Sequence, residues 1–203
     1  TQRTSILYSL PIPPGIPLTA RASPPAVPRP DRGGSTAPTS VAGGGIEDSA
    51  MSPLDTLPVV ETFHSLQGEG HHCGRSAFFI RLGGCKVGCP WCDTKHSWPL
   101  ENHPRKSIDS LAQEAAKAAD RGAAFTVITG GEPLHHDLSG LTKLLAEHGT
   151  ETHLETSGVD ALSGSLDWIT LSPKRHAPPR RELLQRCNEL KVIVHDTGDL
   201  MFA

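Results

Sequence analysis

Hydrophobic positions begin to repeat at Val59. Val59-Val60-Glu61-Thr62-Phe63 reads as a short strand, and Ser76-Ala77-Phe78-Phe79-Ile80-Arg81-Leu82 as a near-continuous apolar one. Residues 107–121 switch to a helical, alanine-rich pattern, with Ser107 as N-cap and Gly122 as stop. Phe125-Thr126-Val127-Ile128 is β-branched and apolar, a buried strand. Leu138, Leu141, Leu144 and Leu145 mark a second helix that ends at Gly149. Residues 152–156 and 168–171 read as strands, 181–189 as a helix with Cys187 packed inside it, and 190–194 as a strand. Residues 199–203 look like the start of another helix. Alternating strands and helices imply an α/β fold with a mostly parallel sheet and right-handed crossovers. A full eightfold barrel takes ~250 residues. With five or six strands in 203 residues, this chain fits a partial, open βα barrel.

Residues 1–55 break the pattern. Prolines stand at 11, 13, 14, 17, 24, 25, 28 and 30, and glycines at 43–45. Such a segment buries too little apolar surface to offset its ordering entropy, so it is expected to be disordered, with the fold confined to 56–203. A transit peptide is a second reading, since the segment has Arg and Ser and few acids, although no amphipathic helix stands out. A third is that it is not native and that translation starts at Met51, which intact-mass measurement of the native protein would test.

A net charge of −3 gives no sign of a nucleic-acid groove, and no apolar run approaches the ~20 residues of a spanning helix. Three of the five cysteines cluster, which argues against a secreted disulfide framework and for a reducing, cytoplasmic setting.

The chemistry gathers after strands. Cys85-Lys-Val-Gly-Cys89-Pro-Trp-Cys92-Asp-Thr94 follows the strand at 76–82. Gly130-Gly131-Glu132-Pro133 follows 125–128, Glu155-Thr156-Ser157 follows 152–154, and Ser172-Pro173-Lys174 follows 168–171. Barrels collect functional residues at the C-terminal ends of their strands, so four separate stretches converge on one rim. Thiolates suit iron–sulfur clusters, zinc and copper. Three cysteines on a four-iron cluster leave one iron open to a small molecule. A zinc site needs a fourth ligand, for which Cys73 and His96 are the candidates. Glu132 or bare backbone at Gly130-Gly131 can accept from an ammonium group, and the same residues also suit a plain turn. Thr94 suits a magnesium ion that keeps its waters, or else caps the next turn. Trp91 packs over a ring or covers the cysteines. Arg81, a cation near a strand end, either snorkels to solvent or binds an anion. His71-His72, His96 and His135-His136 are read as solvated loop residues.

The cysteine run resembles the CxxxCxxC signature of radical S-adenosylmethionine (SAM) enzymes. Taken with Ser65-Leu66-Gln67-Gly68-Glu69-Gly70, Phe79-Ile80-Arg81-Leu82, Gly84-Cys85, Trp91-Cys92-Asp93-Thr94-Lys95, Thr129-Gly130-Gly131-Glu132-Pro133, Glu155-Thr156-Ser157-Gly158 and Ser172-Pro173-Lys174, the chain resembles the 7-carboxy-7-deazaguanine synthases over residues 57–203. The resemblance implies conversion of 6-carboxy-5,6,7,8-tetrahydropterin to 7-carboxy-7-deazaguanine with loss of ammonia, on the way to queuosine in transfer RNA. SAM is regenerated and so serves as a cofactor. By motif position, Cys85, Cys89 and Cys92 hold a 4Fe-4S cluster. Trp91, Cys92, Asp93, Gly131, Glu132, Ser172, Pro173 and Lys174 meet SAM. Leu66, Gln67, Gly68, Arg81 and Thr129 line the pterin site, and Thr94 binds Mg²⁺. The implied partners are an electron donor such as a flavodoxin and a second copy of the chain, with neither nucleic acid nor membrane. The proline-rich head departs from the family pattern, and the chain stops where the family continues, so a truncated C-terminus is expected. Two alternatives stand beside this: another small radical SAM enzyme such as a glycyl-radical activase, and a zinc-binding interaction module.

Overall fold

The computed structural model describes residues 6–11, 55–194 and 196–202. The expectations for residues 12–54, including a start at Met51, lie outside the described residues. Eight strands form one sheet in the order β1-β8-β7-β6-β5-β3-β2-β4. They are β1 (Ile6–Pro11), β2 (Thr56–Leu66), β3 (Ser76–Leu82), β4 (Arg105–Ser107), β5 (Phe125–Gly130), β6 (Thr152–Thr156), β7 (Trp168–Leu171) and β8 (Glu189–Val194). The central five, β3, β5, β6, β7 and β8, run parallel. The flanking strands β2, β4 and β1 pair antiparallel.

Two strands were not expected. β4 has three residues, too few for a hydrophobic alternation to register. β1 lies in the head that was read as disordered, where Ile6-Leu7-Tyr8 pairs with Val194-Ile193-Val192. The dense prolines that follow it hide this short apolar run in the composition of the head.

Helices cover one face of the sheet. α1 (Ile108–Asp120) starts where the Ser107 side chain accepts from Ser110 N at 3.1 Å. It buries Leu111, Ala112, Ala115 and Ala118, one stripe at helical spacing. α2 (Ser139–Glu147) buries Leu141 and Leu145. α3 (Arg181–Arg186) ends three residues earlier than expected, because Cys187 is already extended (ψ 148°) to start β8. Cys187 still packs in the core, as a helix cap rather than from within the helix. α4 (Thr197–Phe202) follows β8. Beneath the helices, Leu82, Ile128, Leu154 and Leu171 are all fully buried, one from each of four neighbouring strands. Truncating any one of them to Ala costs about 2–5 kcal/mol. Among the described residues, no helix is long and apolar enough to cross a membrane.

The other face of the sheet carries the chemistry. Side chains alternate along each strand, so the face that holds Phe79, Phe125 and Val127 also presents Arg81, Thr129, Glu155 and Thr170. Register aligns them. Glu61 lies opposite Arg81, Arg81 opposite Thr129, Glu155 opposite Thr170, and Thr170 opposite Glu189. A polar row thus crosses the sheet near the C-terminal ends of its parallel strands, above an apolar floor.

Candidate active site

The loop after β5 meets the loop after β3 along bare backbone. Gly130 has φ +145°, and a Cβ there would stand 2.2 Å from Leu82 O. At Gly131 a Cβ would stand 2.4 Å from Gly84 O and 3.0 Å from the Cys85 Cβ. Only glycine permits this approach. Gly131 N and Glu132 N donate to Leu82 O and Gly84 O, each at 2.9 Å, which stitches the two loops together.

Glu132 organises the neighbouring loops and is 1% exposed. Its Oε1 accepts from Leu134 N at 3.1 Å and Thr156 Oγ1 at 2.5 Å. Its Oε2 accepts from Ser157 N at 2.8 Å and Ser157 Oγ at 2.5 Å. Both carboxylate oxygens are therefore occupied by protein donors. Of the two ways this segment could receive an ammonium group, the arrangement favours main-chain carbonyls and gives Glu132 the task of fixing their loop.

The three clustered cysteines are free thiols: Cys89 is buried, and Cys85 and Cys92 are partly so. Burial pushes the Cys85 thiol up, opposed by the nearby backbone amides of Val87 and Gly88. Burial pushes Cys89 up too, opposed by the Lys174 ammonium. Lys174 donates to Ser172 O and Oγ, both at 2.7 Å. Burial lowers its pKa, with Cys89 pulling the other way. A coordinating metal removes the proton from such thiols outright, so loading releases protons.

These donors fit an iron–sulfur cluster better than a zinc ion. Zinc draws four ligands to about 2.0–2.3 Å of one centre. Among the described residues, no group of three or more His, Cys, Asp and Glu converges on a single ion position. A cubane takes one thiolate at each of three separate corners and needs no common centre. Cys73, one proposed fourth zinc ligand, instead points to Gly68 O at 3.4 Å.

Cys89, Trp91, Cys92, Asp93 and Thr94 share a solvent-open cavity of about 510 Å³ with Gly131, Glu132, Ser172, Lys174, Arg81 and Thr129. Most of the residues singled out in the sequence therefore meet in one place. Cys85 lies on a separate groove behind the loop, together with Lys86 and His135. Pro173 lines a small recess with Trp91. Leu66 is 62% exposed, and neither Leu66 nor Gly68 lines the cavity. The Thr94 hydroxyl makes no cap bond to the turn it precedes. It lies 3.6 Å from Cys92 Sγ.

A much smaller pocket of about 30 Å³ shares Glu69, Glu155, Thr170 and Lys191 with the large cavity and adds Gln67, Trp168 and Glu189. Glu155 accepts from Gln67 Nε2 at 2.9 Å and from Thr129 Oγ1 at 3.0 Å. Lys191 is paired to Glu69. Burial alone would lower the Lys191 pKa, but the Glu69 hydrogen bond, with Glu155 and Asp93 nearby, outweighs it and raises it. Arg81 Nε donates to Glu61 Oε1 at 2.8 Å, and its guanidinium lies 5.8 Å from the Phe63 ring centre. The sequence places Glu155 at the rim within a strand-end cluster and Glu69 within a loop motif, but gives neither a binding role, and Thr170, Glu189 and Lys191 carry no motif. The available signal was a polar residue at inward parity near a strand end.

The histidine pairs are not simply solvated. His136 Nε2 donates to Gly83 O at 2.8 Å, and His135 Nε2 accepts from Lys86 N at 3.0 Å. His72 packs edge-on to Trp168, with ring centres 4.5 Å apart. Loop position alone suggested exposure; the Gly-Gly approach carries His135 and His136 against the cysteine loop.

Residues 79–188 match the family model for the radical SAM superfamily. The 7-carboxy-7-deazaguanine synthase of Prochlorococcus marinus is 59% identical over 154 residues, covering 72% of this chain and 68% of that one. Its namesake from Synechocystis is 51% identical over 159 residues, 76% and 75% of the two chains. The crystal structure of QueE from Escherichia coli superposes with a TM-score of 0.66 at 37% identity, covering 72% of this chain and 74% of that one.

Proposed function

Because this chain belongs to the 7-carboxy-7-deazaguanine synthases of the radical SAM superfamily, we propose a specific division of labour for the cavity. The enzyme is a radical SAM lyase that makes 7-carboxy-7-deazaguanine, in the queuosine pathway. Its family implies a 4Fe-4S cluster and SAM. When bound, these supply the radical that takes a hydrogen from the substrate, and the protein's task is to position and enclose.

Cys85, Cys89 and Cys92 hold the cluster. The backbone at Gly131, together with Trp91, Asp93, Ser172 and Lys174, receives SAM. The polar row of Arg81, Thr129, Glu155 and Thr170 takes 6-carboxy-5,6,7,8-tetrahydropterin, with Gln67 oriented by Glu155. Arg81 suits the substrate carboxylate, since a guanidinium offers a carboxylate paired donors. Thr94, whose hydroxyl makes no cap bond, suits an Mg²⁺ that keeps substrate oxygens and waters as its other ligands. The observation that carries this reading is that two of the cluster cysteines and the polar row line one cavity.

An electron donor such as a flavodoxin, a second copy of the chain and a cytoplasmic setting complete the reading. Thiols that must stay reduced support the last of these. The direct test is to load the enzyme anaerobically and supply SAM, Mg²⁺ and the tetrahydropterin. The expected product is 7-carboxy-7-deazaguanine with SAM unconsumed. A loaded enzyme that cleaves SAM steadily but leaves the pterin intact would overturn the substrate assignment.

A further inference from the structure

The tip of the β2–β3 hairpin, residues 67–75, lies across the starts of four parallel strands. The His72 ring packs on Phe125 and His153, with ring centres 5.3 and 4.6 Å away. His71 stacks on Trp168 at 5.1 Å. Phe125 and Trp168 open β5 and β7, and His153 is the second residue of β6. Beyond Trp168 the tip reaches Glu189, the first residue of β8, which is 4% exposed. His71 N donates to Glu189 Oε1 at 3.1 Å. A Cβ on Gly70, where φ is +71°, would stand 2.2 Å from the same oxygen, so bare main chain lies on the carboxylate. Thr170 Oγ1 donates to the other oxygen at 3.4 Å. Gln67 N donates to Arg75 O at 2.8 Å and Gly74 N to Gln67 O at 2.7 Å. Those two bonds fix the shape of the tip and not its place on the sheet. Lys191 pairs with the Glu69 side chain, whereas Glu189 takes the main chain.

The tip carries Gln67. Its Nε2 donates to Glu155 Oε1 at 2.9 Å, and its Oε1 accepts from Glu69 N at 3.3 Å. The amide is aimed from both ends, and one end depends on where the main chain of the tip runs. We propose that Glu189 is a positioning residue that latches the hairpin tip to β8 and so fixes the Gln67 amide at the pterin site. Without the carboxylate the Gly70–His71 main chain lifts, Glu69 N leaves Gln67 Oε1, and the amide is free to turn. Ordering it again on binding costs affinity. Glu189 touches no substrate in this role and acts only through Gly70 and His71. The inference rests on the reading that Gln67 serves the pterin.

The test compares the reconstituted enzyme as wild type, Glu189→Gln, Glu189→Ala and Gly70→Ala. The Gln carbonyl can still accept from His71 N, and Ala cannot. Gly70→Ala pushes the main chain off the carboxylate from the opposite side. Steady-state kinetics with the tetrahydropterin are measured, together with hydrogen exchange of peptides spanning 67–75 in the absence of substrate. For Glu189→Ala, KM is expected to rise about tenfold, as for the loss of one hydrogen bond to a charged acceptor, with kcat within about threefold of wild type. Exchange over 67–75 should quicken about tenfold, while peptides from α1 and β5 keep their rates. Gly70→Ala is expected to behave alike, and Glu189→Gln to stay within about threefold of wild type in both readouts. Should Glu189→Ala not fold, Gly70→Ala decides. Gln and Ala variants that lose equally overturn the latch, because the charge itself would then be the working group. A raised KM with unchanged exchange, or faster exchange with unchanged KM, overturns it too. A wild type that leaves the pterin intact would instead overturn the reading beneath it.

Discussion

Replacing Glu132 with Gln changes one atom in a carboxylate that is 1% exposed and surrounded by four donors. A carboxamide has one oxygen and one NH₂. Whichever way it turns, the NH₂ faces a hydroxyl and a main-chain N–H, either Thr156 Oγ1 with Leu134 N or Ser157 Oγ with Ser157 N. The hydroxyl can rotate to accept. The main-chain N–H cannot, and is left buried without a partner at about 1–3 kcal/mol. The surviving bonds also lose their charge assistance. The sum is about 2–4 kcal/mol, at the large end for a single substitution. With a urea m-value of about 2 kcal/mol/M, the unfolding midpoint of the apo protein should drop by about 1–2 M. Because the carboxylate is occupied by protein donors, SAM affinity should fall only as the loop loosens, and a substitution of Thr156 that removes its hydroxyl should weaken affinity in the same way. An unfolding midpoint unchanged within about 0.3 M, with SAM binding abolished, would refute the reasoning, because Glu132 would then be a direct ligand and not a brace.

Three further outcomes follow from the geometry. Gly131→Ala places a Cβ 2.4 Å from Gly84 O and 3.0 Å from the Cys85 Cβ; iron retained after reconstitution and desalting should fall severalfold, and full retention would show that the two loops have slack. Thr94→Val should leave stability within about 0.5 kcal/mol, since no cap bond is lost, while abolishing the response of turnover to added Mg²⁺; an unchanged Mg²⁺ response sends the ion elsewhere. His153 is 3% exposed, and burial lowers its pKa below 6.5 despite the Glu151 carboxylate beside it. The unfolded chain therefore takes up a proton first as pH falls. This contribution to stability is present above about pH 6.5 and is lost below it, through the lowered folded-state pKa. Urea midpoints of the apo protein measured from pH 7.5 to 5.5 should fall, and His153→Gln should flatten the decline. Parallel curves for the two proteins would remove His153 as the cause.

The strands and helices were readable because their periods differ, and the parallel core of β3, β5, β6, β7 and β8 follows from alternation alone. What failed locally failed for definite reasons. Three residues of β4 carry no period, β1 was masked by the prolines after it, and α3 stops early because Cys187 must already be extended. The cysteine loop, Gly-Gly-Glu-Pro and Ser-Pro-Lys were legible at the site because they are local motifs at strand ends. Thr170, Glu189 and Lys191 were not, because a residue's place in the polar row depends on strand register, which local sequence does not carry. Glu132 shows the reverse case. Its position in the site was legible, but its role depends on donors 24 and 25 residues away, at Thr156 and Ser157.

The central claim is that Cys85, Cys89 and Cys92 carry a cluster with one iron open to SAM. Anaerobic reconstitution with iron and sulfide, followed by electron paramagnetic resonance of the reduced protein with and without SAM, tests it most directly. The account predicts a brown protein whose reduced-cluster signal shifts when SAM is added and is lost when any of the three cysteines is replaced by alanine. A colourless protein that retains one zinc, or a cluster signal indifferent to SAM, would contradict it.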